Sequence, residues 1–570
     1  MQVYAVSSFY ALTSPKLAFF YLEETMRQRR ISFLISALLI FNILLSGCSG
    51  DRSSVATNSA NSASKEAQPY PTPAYATNAA SSAANTTAVD AKKSLSYDSE
   101  EETKGERYAE INENPFLETK YAPLSTFSID VDTASYSNVR RYINDGNLPP
   151  KDAVRIEELV NYFEYDYPQP VGNVPFSVTN EVAVCPWNTK HKIVSIGLQG
   201  KKIALDNTPP SNLVFLLDVS GSMNSPDKLP LLKQGLKILT NQLKPQDRVA
   251  IVVYAGSSGL VLPSTNDKNQ ILRSLDNLEA GGSTNGGQGI QLAYKVAQEN
   301  FINNGNNRVI LATDGDFNVG LTGDDELVKM IEQKRQGNIF LSVLGFGSGN
   351  LNDSMMEKLS NKGNGNYAYI DSAEEARKAL GQQVAGTLYT IAKDVKIQVE
   401  FNPAKVAGYR LLGYENRLLA NRDFNDDKKD AGEIGAGHSV TALYEIVPAG
   451  QKVENDGIEL KYSQVQPSDT NFSDELLTVK LRYKEPKEND SKLLIIGLLD
   501  KSVSIENASD NLKFASAVAQ FGLLMRDSRF KGNSSFASLK NLANSSLGND
   551  LKGYRNDFIQ LVNKANRMKS

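Results

Sequence analysis

The order of apolar and polar positions divides the chain into regions of different secondary structure. Between residues 212 and 382, apolar runs of strand length alternate with amphipathic stretches of helix length. Buried parallel strands are nearly continuous apolar runs, and their alternation with helices predicts an α/β fold built on a doubly wound parallel sheet. After residue 393 the pattern changes to alternating strands that end in two helical stretches, which predicts a β-rich region with a helical tail.

The stretch from 105 to 211 has a mixed pattern that predicts a small α+β region. Residues 125–131 alternate like a strand, a helical stretch follows, and residues 177–185 and 192–199 are again strand-like. These strands alone form too small a sheet to be stable. We therefore expect them to pair with strands after residue 393, with the doubly wound region inserted between the two halves of the β-rich region.

A basic and then apolar segment near the N-terminus has the features of an export signal. Residues 27–30 are basic, residues 31–45 are apolar, and the sequence Leu-Ser-Gly-Cys that ends at Cys48 resembles the lipobox cut by lipoprotein signal peptidase. We expect translation to begin at Met26 and the mature protein to begin at a lipid-modified Cys48. The alternative is an uncleaved membrane anchor, for which the apolar stretch is short. Because Ser49 rather than Asp follows Cys48, the outer membrane is favoured over the inner membrane of the cell envelope.

Composition agrees with export and gives no support for nucleic-acid binding. Residues 48–104 are rich in Ser, Ala, Asn and Thr and lack apolar periodicity, so they predict a flexible tether that cannot bury enough surface to fold. A net charge of -4 over 570 residues provides no basic surface for nucleic acid. Of the two cysteines, Cys185 is left without a disulfide partner, and we expect it in the core. The predicted regions, in chain order, are a signal region (1–47, with the lipoprotein signal at 26–47), a tether (48–104), an N-terminal α+β region (105–211), a doubly wound α/β region (212–382) and a β-rich C-terminal region with terminal helices (383–570).

Three short polar segments of the doubly wound region supply oxygen ligands for a metal ion. Two of them follow apolar strands and the third lies in a glycine-rich loop, so all three are expected at the crevice where open α/β sheets bind ligands. The candidate ligands are Asp218, Ser220, Ser222, Thr284 and Asp314. Oxygen-only coordination selects a hard cation such as Mg²⁺, Mn²⁺ or Ca²⁺. On its own, the spacing Asp-x-Ser-x-Ser is also common in helix N-cap clusters, so the alternative to a metal site is a purely structural capping role.

The spacing Asp218-x-Ser220-x-Ser222, followed by a distant Thr284 and a distant Asp314, resembles the metal-ion-dependent adhesion site of the von Willebrand factor type A domain. The resemblance implies Mg²⁺, or Mn²⁺ or Ca²⁺, held so that it can accept a carboxylate from a protein partner. It also implies that Thr284 joins the metal when the partner is bound. Residues 124–137, 416–420 and 423–438 resemble the domains that flank the type A domain in one group of bacterial lipoproteins.

The chain contains no sequence motif for catalysis. There is no G-x-S-x-G elbow, no phosphate-binding G-x-x-x-x-G-K-[ST] loop and no H-E-x-x-H, and the two histidines, His191 and His438, lie outside the doubly wound region. We therefore expect a protein that is not an enzyme. One hypothesis is a receptor, held at the membrane by lipid, whose metal captures an Asp or Glu of a protein ligand. The other is a scaffold or assembly factor of an envelope complex in which the metal is structural.

A pair of carboxylates precedes the first helical stretch of the N-terminal region. Asp130 and Asp132 provide carboxylates for a second cation site, although an N-cap of the following helix is the preferred interpretation.

Overall fold

The computed structural model describes residues 105–283, 286–315, 324–454 and 474–569. The signal region, the tether and Cys48 lie outside these ranges. The strands are β1 (Leu117–Glu118), β2 (Leu124–Ser128), β3 (Phe176–Val184), β4 (Lys192–Gly200), β5 (Ser211–Asp218), β6 (Arg248–Tyr254), β7 (Ser258–Thr265), β8 (Asn306–Thr313), β9 (Ile339–Phe346), β10 (Tyr367–Ile370), β11 (Thr390–Phe401), β12 (Val406–Leu412), β13 (Gly432–Gly435), β14 (Ser439–Pro448), β15 (Glu475–Lys484) and β16 (Lys492–Leu499). The helices are α1 (Ala134–Asn144), α2 (Ile156–Asn161), α3 (Leu229–Gln242), α4 (Lys268–Asp276), α5 (Gly286–Glu299), α6 (Asp324–Gln336), α7 (Asp353–Lys362), α8 (Ala373–Arg377), α9 (Val384–Leu388), α10 (Asp510–Arg526), α11 (Phe536–Asn544) and α12 (Tyr554–Lys569).

A six-stranded sheet in the order β10-β9-β8-β5-β6-β7 carries the metal motif. The central strand β5 is buried along its whole length, and its side chains alternate between two hydrophobic cores. Phe215 belongs to the core that includes Leu236 of α3, whereas Leu216 belongs to the core that includes Ile290 of α5. Helices therefore cover both faces of the sheet, and the predicted doubly wound fold is confirmed. The edge strand β7 runs antiparallel to β6 because a short turn connects them.

Strands from both ends of the chain build two further sheets together. One sheet has the order β1-β12-β14-β4-β3, with Gln199 of β4 opposite Ser439 of β14. The other has the order β13-β11-β15-β16, and β2 also pairs with β11, so that Phe127 lies opposite Ile397. The expected pairing of strands before residue 200 with strands after residue 393 is thus confirmed. The six-stranded sheet is an insertion, and regions 105–211 and 383–570 share their sheets.

The helical tail packs on the helices of the N-terminal region. Phe514 of α10 contacts Phe163 edge to face, with 5.0 Å between the ring centroids, and Phe558 of α12 contacts Phe514 at 5.7 Å. Gly522 is required for this packing, since a Cβ there would lie 2.8 Å from Cγ1 of Ile156. Both ends of the described chain therefore contribute to one hydrophobic core. Among the described residues, no helix combines the length and apolar character needed to cross a membrane.

Candidate metal site

Asp218 is the last residue of β5 and lies at the carboxyl edge of the six-stranded sheet. Its carboxylate is fully buried and accepts three hydrogen bonds. The backbone N–H of Ser220 donates to Oδ1 at 2.9 Å, and the hydroxyls of Tyr254 and Thr313 each donate to Oδ2 at 3.2 Å. Because Tyr254 and Thr313 end the two neighbouring strands, the ends of β5, β6 and β8 together fix the orientation of this carboxylate.

The two serines of the motif lie beside Asp218 on a short turn. The hydroxyls of Ser220 and Ser222 are 3.0 Å apart, and Ser222 is exposed whereas Ser220 is buried. The glycine-rich loop contacts the same turn, because Gly281 donates its N–H to the carbonyl oxygen of Val219 at 2.7 Å and Gly221 donates to the carbonyl oxygen of Gly282 at 3.0 Å. The expected convergence of this loop with the Asp-x-Ser-x-Ser segment is therefore present.

Asp314 follows β8 and is fully buried on the other side of the motif. The ammonium group of Lys228 lies 2.8 Å from its Oδ2 atom and 3.2 Å from Oδ1 of Asn350. Gly315 has φ +104°, and a Cβ there would lie 2.4 Å from the backbone nitrogen of Asn352, so the turn after Asp314 packs tightly on the loop before α7. Lys228 is a site residue that the sequence pattern did not reveal.

Burial and hydrogen bonding set different protonation tendencies for the two carboxylates. Burial raises the pKa of Asp218 to about 6, although the hydrogen bonds from Ser220 and Thr313 oppose the rise. Burial also acts to raise the pKa of Asp314, but hydrogen bonds from Lys228 and Ser222 hold it below its ordinary value. The proximity of two buried carboxylates adds to the cost of ionising Asp218, which a bound cation would offset.

The chemistry of the donor set fits a hard divalent cation. Asp218 and Asp314 supply carboxylates, Ser220 and Ser222 supply hydroxyls, and Ser222 is hydrogen-bonded to Asp314, so the four side chains form one continuous oxygen cluster. Thr284, the fifth candidate ligand, lies outside the described residues, as does Cys48.

A second group of carboxylates lies where the N-terminal, doubly wound and C-terminal regions meet. Oxygen atoms of Asp130, Glu158 and Glu357 lie within 4.8 Å of one another, and all three residues are buried. Arg417 lies 2.8 Å from Asp130, and Arg155 contacts Glu158 directly. These arginines already supply neutralising charge, so the group forms an ion-pair network between regions.

The preferred sequence interpretation of Asp130 and Asp132 as an N-cap is wrong. The N-cap residue of α1 is Thr133, and its side chain makes no capping hydrogen bond. Asp132 instead accepts a hydrogen bond from the backbone N–H of Tyr367 at 2.8 Å, in the doubly wound region. A carboxylate from α2, Glu158, accepts the N–H of Ser135 in the first turn of α1 at 2.8 Å.

Comparison with known proteins supports the assignment of the six-stranded region. Residues 213–316 match a family profile described as "von Willebrand factor type A domain". A profile described as "von Willebrand factor" matches residues 102–195, and one described as "Uncharacterized protein YfbK, C-terminal" matches residues 386–568. These matches confirm the resemblance to the type A domain.

Individual relatives extend over different parts of the chain. A protein of Escherichia coli (strain K12) described as "Uncharacterized protein YfbK" is 43% identical over 471 residues, which cover 80% of this chain and 81% of that protein. Inter-alpha-trypsin inhibitor heavy chain H3 of Pongo abelii is 26% identical over 260 residues, which cover 42% of this chain and 29% of that protein. A solved von Willebrand factor type A structure from Catenulispora acidiphila has 14% identity and a TM-score of 0.37, and covers 70% of this chain and 91% of that one. The chain belongs to the YfbK family of proteins that contain a von Willebrand factor type A domain.

Proposed function

We propose that this chain is a non-catalytic binding protein of the cell envelope, which captures an acidic residue of a protein partner through a divalent metal ion. Type A domains often mediate interactions between proteins and often bind a divalent metal. The proposal assigns the metal to Asp218, Ser220, Ser222, Thr284 and Asp314, with Mg²⁺ as the expected ion. The bound ion would supply a positively charged centre for a carboxylate of the partner.

The observation that carries the proposal is the contrast between Asp218 and Ser222. Asp218 is fully buried and fixed by three donors, whereas Ser222, four residues later in the same oxygen cluster, is exposed. A cation held there would be bound by the buried Asp218 on its protein side and accessible to a partner on the solvent side, where Ser222 lies. Because Lys228 already neutralises Asp314, the two carboxylates and three neutral hydroxyls would leave residual positive charge at the ion, and a carboxylate of the partner would offset that charge.

A role in binding is also favoured over catalysis by the positions of the histidines. His191 directly precedes β4, and its Nδ1 atom lies 2.6 Å from Oε1 of Glu445 in β14. His438 follows β13 and likewise lies outside the six-stranded sheet. Neither histidine is placed to act as a base beside the oxygen cluster.

We further propose that Cys48 carries lipid and holds the protein on the outer membrane. The supporting observation is the sequence of a basic stretch, an apolar stretch and Leu-Ser-Gly-Cys48. Mass spectrometry of the protein from its native membrane should find a lipid-modified N-terminal Cys48, and Cys48→Ala should leave the signal unprocessed. An unmodified N-terminus at another residue would contradict this assignment.

Titration with Mg²⁺ tests the metal assignment separately from the partner. For the wild type, Mg²⁺ at 100 times its dissociation constant should raise the free energy of unfolding by about 2.7 kcal/mol. Asp218→Ala should remove this increase while the fold survives, since the sheet keeps its apolar cores. Asp227→Ala is the matched control, because Asp227 is an exposed carboxylate in the same connection between β5 and α3. An equal increase in wild type and Asp218→Ala would refute the site.

A further inference from the structure

The strand β16 forms the outer edge of its sheet and has apolar side chains on both faces. Within the part of the chain that the structure describes, β16 pairs with β15 and with no other strand. The inner row packs against the main hydrophobic core and consists of Leu494, Ile496 and Leu498. The outer row consists of Leu493, Ile495 and Leu499, which are 48%, 58% and 43% exposed.

An edge strand of this kind is a surface for strand pairing. Proteins usually protect sheet edges with charges, prolines, bulges or very short strands, because an open edge offers unpaired N–H and C=O groups to another chain. Strand β16 is eight residues long, and the stretch Leu493–Leu499 contains neither a charged residue nor a proline. Its free edge therefore combines a long row of main-chain hydrogen-bonding groups with an exposed apolar row.

We propose that β16 pairs with β16 of a second copy of this chain, antiparallel and around a two-fold axis at Ile496. In an antiparallel ladder, two directly opposite residues have the same hydrogen-bonding state and their side chains on the same face. When two copies of one strand pair, opposite residues are therefore separated by an even number of positions. The two-fold axis then lies at a residue and not between two residues. With the axis at Ile496, Lys492 lies opposite Asp500 of the second copy, and Leu493 lies opposite its Leu499. With the axis at Ile495 or Gly497, Lys492 would instead lie opposite Leu498 or Ser502.

Charge complementarity selects this register. Opposite charges in directly facing cross-strand positions stabilise a ladder, and like charges destabilise it. The side chains of Lys492 and Asp500 keep 45% and 23% of their surface exposed. Their present partners belong to the same chain: Lys492 contacts Glu485, and Asp500 lies 2.6 Å from Lys192. Pairing around Ile496 would extend these two ion pairs into two symmetric networks, one at each end of the joined strands.

The joined strands would also cover the exposed apolar row. On the outer face, Leu493 of each copy faces Leu499 of the other, and Ile495 faces Gly497. Side chains in directly opposite positions have Cβ atoms about 5 Å apart, so the leucines contact each other across the axis. The two five-stranded sheets become one continuous sheet, which removes both open edges.

Cysteine cross-linking on the full chain tests the contact and its register. The variant Leu493→Cys, Leu499→Cys places a thiol opposite a thiol of the second copy at two points. Within one chain the two positions are six residues apart, or about 20 Å along the strand, which a short bis-maleimide cannot span. We expect a cross-linked dimer, with residues 493 and 499 joined in its proteolytic peptides.

The single variants are the matched controls, since they contain the same native cysteines. Leu493→Cys alone and Leu499→Cys alone should each give at most about one tenth of the dimer of the double variant, because identical positions lie about 20 Å apart across the axis. An equal mixture of the two single variants should restore cross-linking. In sedimentation velocity, Ile495→Lys should shift the protein from dimer to monomer, whereas Val261→Lys on the exposed face of β7 should not.

Several results would overturn the proposal. Equal cross-linking of the single and double variants would exclude the register. Absence of a dimer at all concentrations, as expected if residues 455–473 or a different protein cover the edge, would exclude the contact itself. Dimerisation that Ile495→Lys leaves unchanged would place the interface elsewhere.

Discussion

The ammonium group of Lys228 lies 2.8 Å from Oδ2 of Asp314, so a positive side chain is paired with a candidate ligand of the metal site. Lys228 precedes α3 and is mostly buried, and Asp314 is fully buried. The pair neutralises one of the two carboxylates of the oxygen cluster in the protein itself. It therefore links the stability of the fold to the affinity of the site for cations.

Replacement of Lys228 by Met should lower stability and increase the effect of Mg²⁺. Loss of one partner of a buried ion pair leaves an uncompensated charge and costs about 3–5 kcal/mol. The charge of Asp314 then attracts a cation more strongly, so the increase in unfolding free energy caused by Mg²⁺ should exceed that of the wild type. Chemical denaturation in EDTA and in Mg²⁺ measures both. Lys237→Met, which breaks the half-exposed pair between Lys237 of α3 and Asp276 of α4, should cost less than about 1 kcal/mol.

Removal of the Tyr254 hydroxyl should weaken metal binding with little effect on the fold. This hydroxyl donates to Oδ2 of Asp218 at 3.2 Å and helps to orient the carboxylate. Loss of such a supporting hydrogen bond typically lowers metal affinity by about 10–100-fold. Isothermal titration of Tyr254→Phe with Mg²⁺ measures the change. Tyr294→Phe, at a buried tyrosine of α5 that belongs to the same core, is the control and should leave the affinity unchanged.

The buried Lys378 should make stability depend on pH above neutrality. Burial lowers its pKa from 10.5 to about 7, against the attraction of Glu375, while the positive charge of Arg140 lowers it further. Between these two pKa values the unfolded chain binds the proton and the folded chain does not, so the unfolding free energy should rise with pH. Lys378→Met should reduce this slope by up to about 1.4 kcal/mol per pH unit.

Urea denaturation of the wild type and Lys378→Met at pH 7.5 and 9.5 provides the comparison. The difference between the two proteins isolates Lys378 from the tyrosines that titrate at higher pH. Glu164 and Lys552 also face this lysine and oppose each other in their effect on its pKa. Parallel pH profiles for the two proteins would show that Lys378 does not release its proton on folding.

The ion-pair network at the junction of the three regions should couple them energetically. Arg155 of the N-terminal region lies 2.5 Å from Oδ2 of Asp353 in the doubly wound region. Arg155→Met should lower the unfolding free energy by about 3–5 kcal/mol, because it leaves buried carboxylates unpaired. In a double-mutant cycle with Asp353→Asn, the two losses should be non-additive. Additive losses would mean that the contact does not join the regions.

The local part of the metal site was predictable because its residues are consecutive. A buried apolar strand followed by Asp218-x-Ser220-x-Ser222 places these side chains at the end of the strand, whatever the rest of the chain does. The supporting residues were not predictable in this way. Tyr254 reaches Asp218 because the register of β5 and β6 places the two residues opposite each other, and register is a tertiary property.

Predictions that rested on local patterns or general limits were confirmed, whereas the prediction that depended on a distant contact was wrong. Insertion of the six-stranded sheet followed from a general limit, since the strands before residue 200 could not form a stable sheet alone. The role of Asp132 depended on a contact over more than two hundred residues of sequence, with the N–H of Tyr367. An N-cap is the local hydrogen-bonding role that a sequence suggests for such a carboxylate. The hydrogen bond from Tyr367 depends on the packing of the doubly wound region against the N-terminal region, which the sequence pattern does not reveal.

Capture of the partner from intact cells tests the central claim most directly. After cross-linking, the wild type, Asp218→Ala and Thr284→Ala are recovered from membranes in Mg²⁺ and in EDTA, and bound proteins are identified by mass spectrometry. The account predicts one acidic partner that binds the wild type in Mg²⁺, is lost in EDTA and with Asp218→Ala, and is weakened by Thr284→Ala while Mg²⁺ binding persists. The same partner bound equally in EDTA and by Asp218→Ala would contradict metal-mediated capture and favour a scaffold.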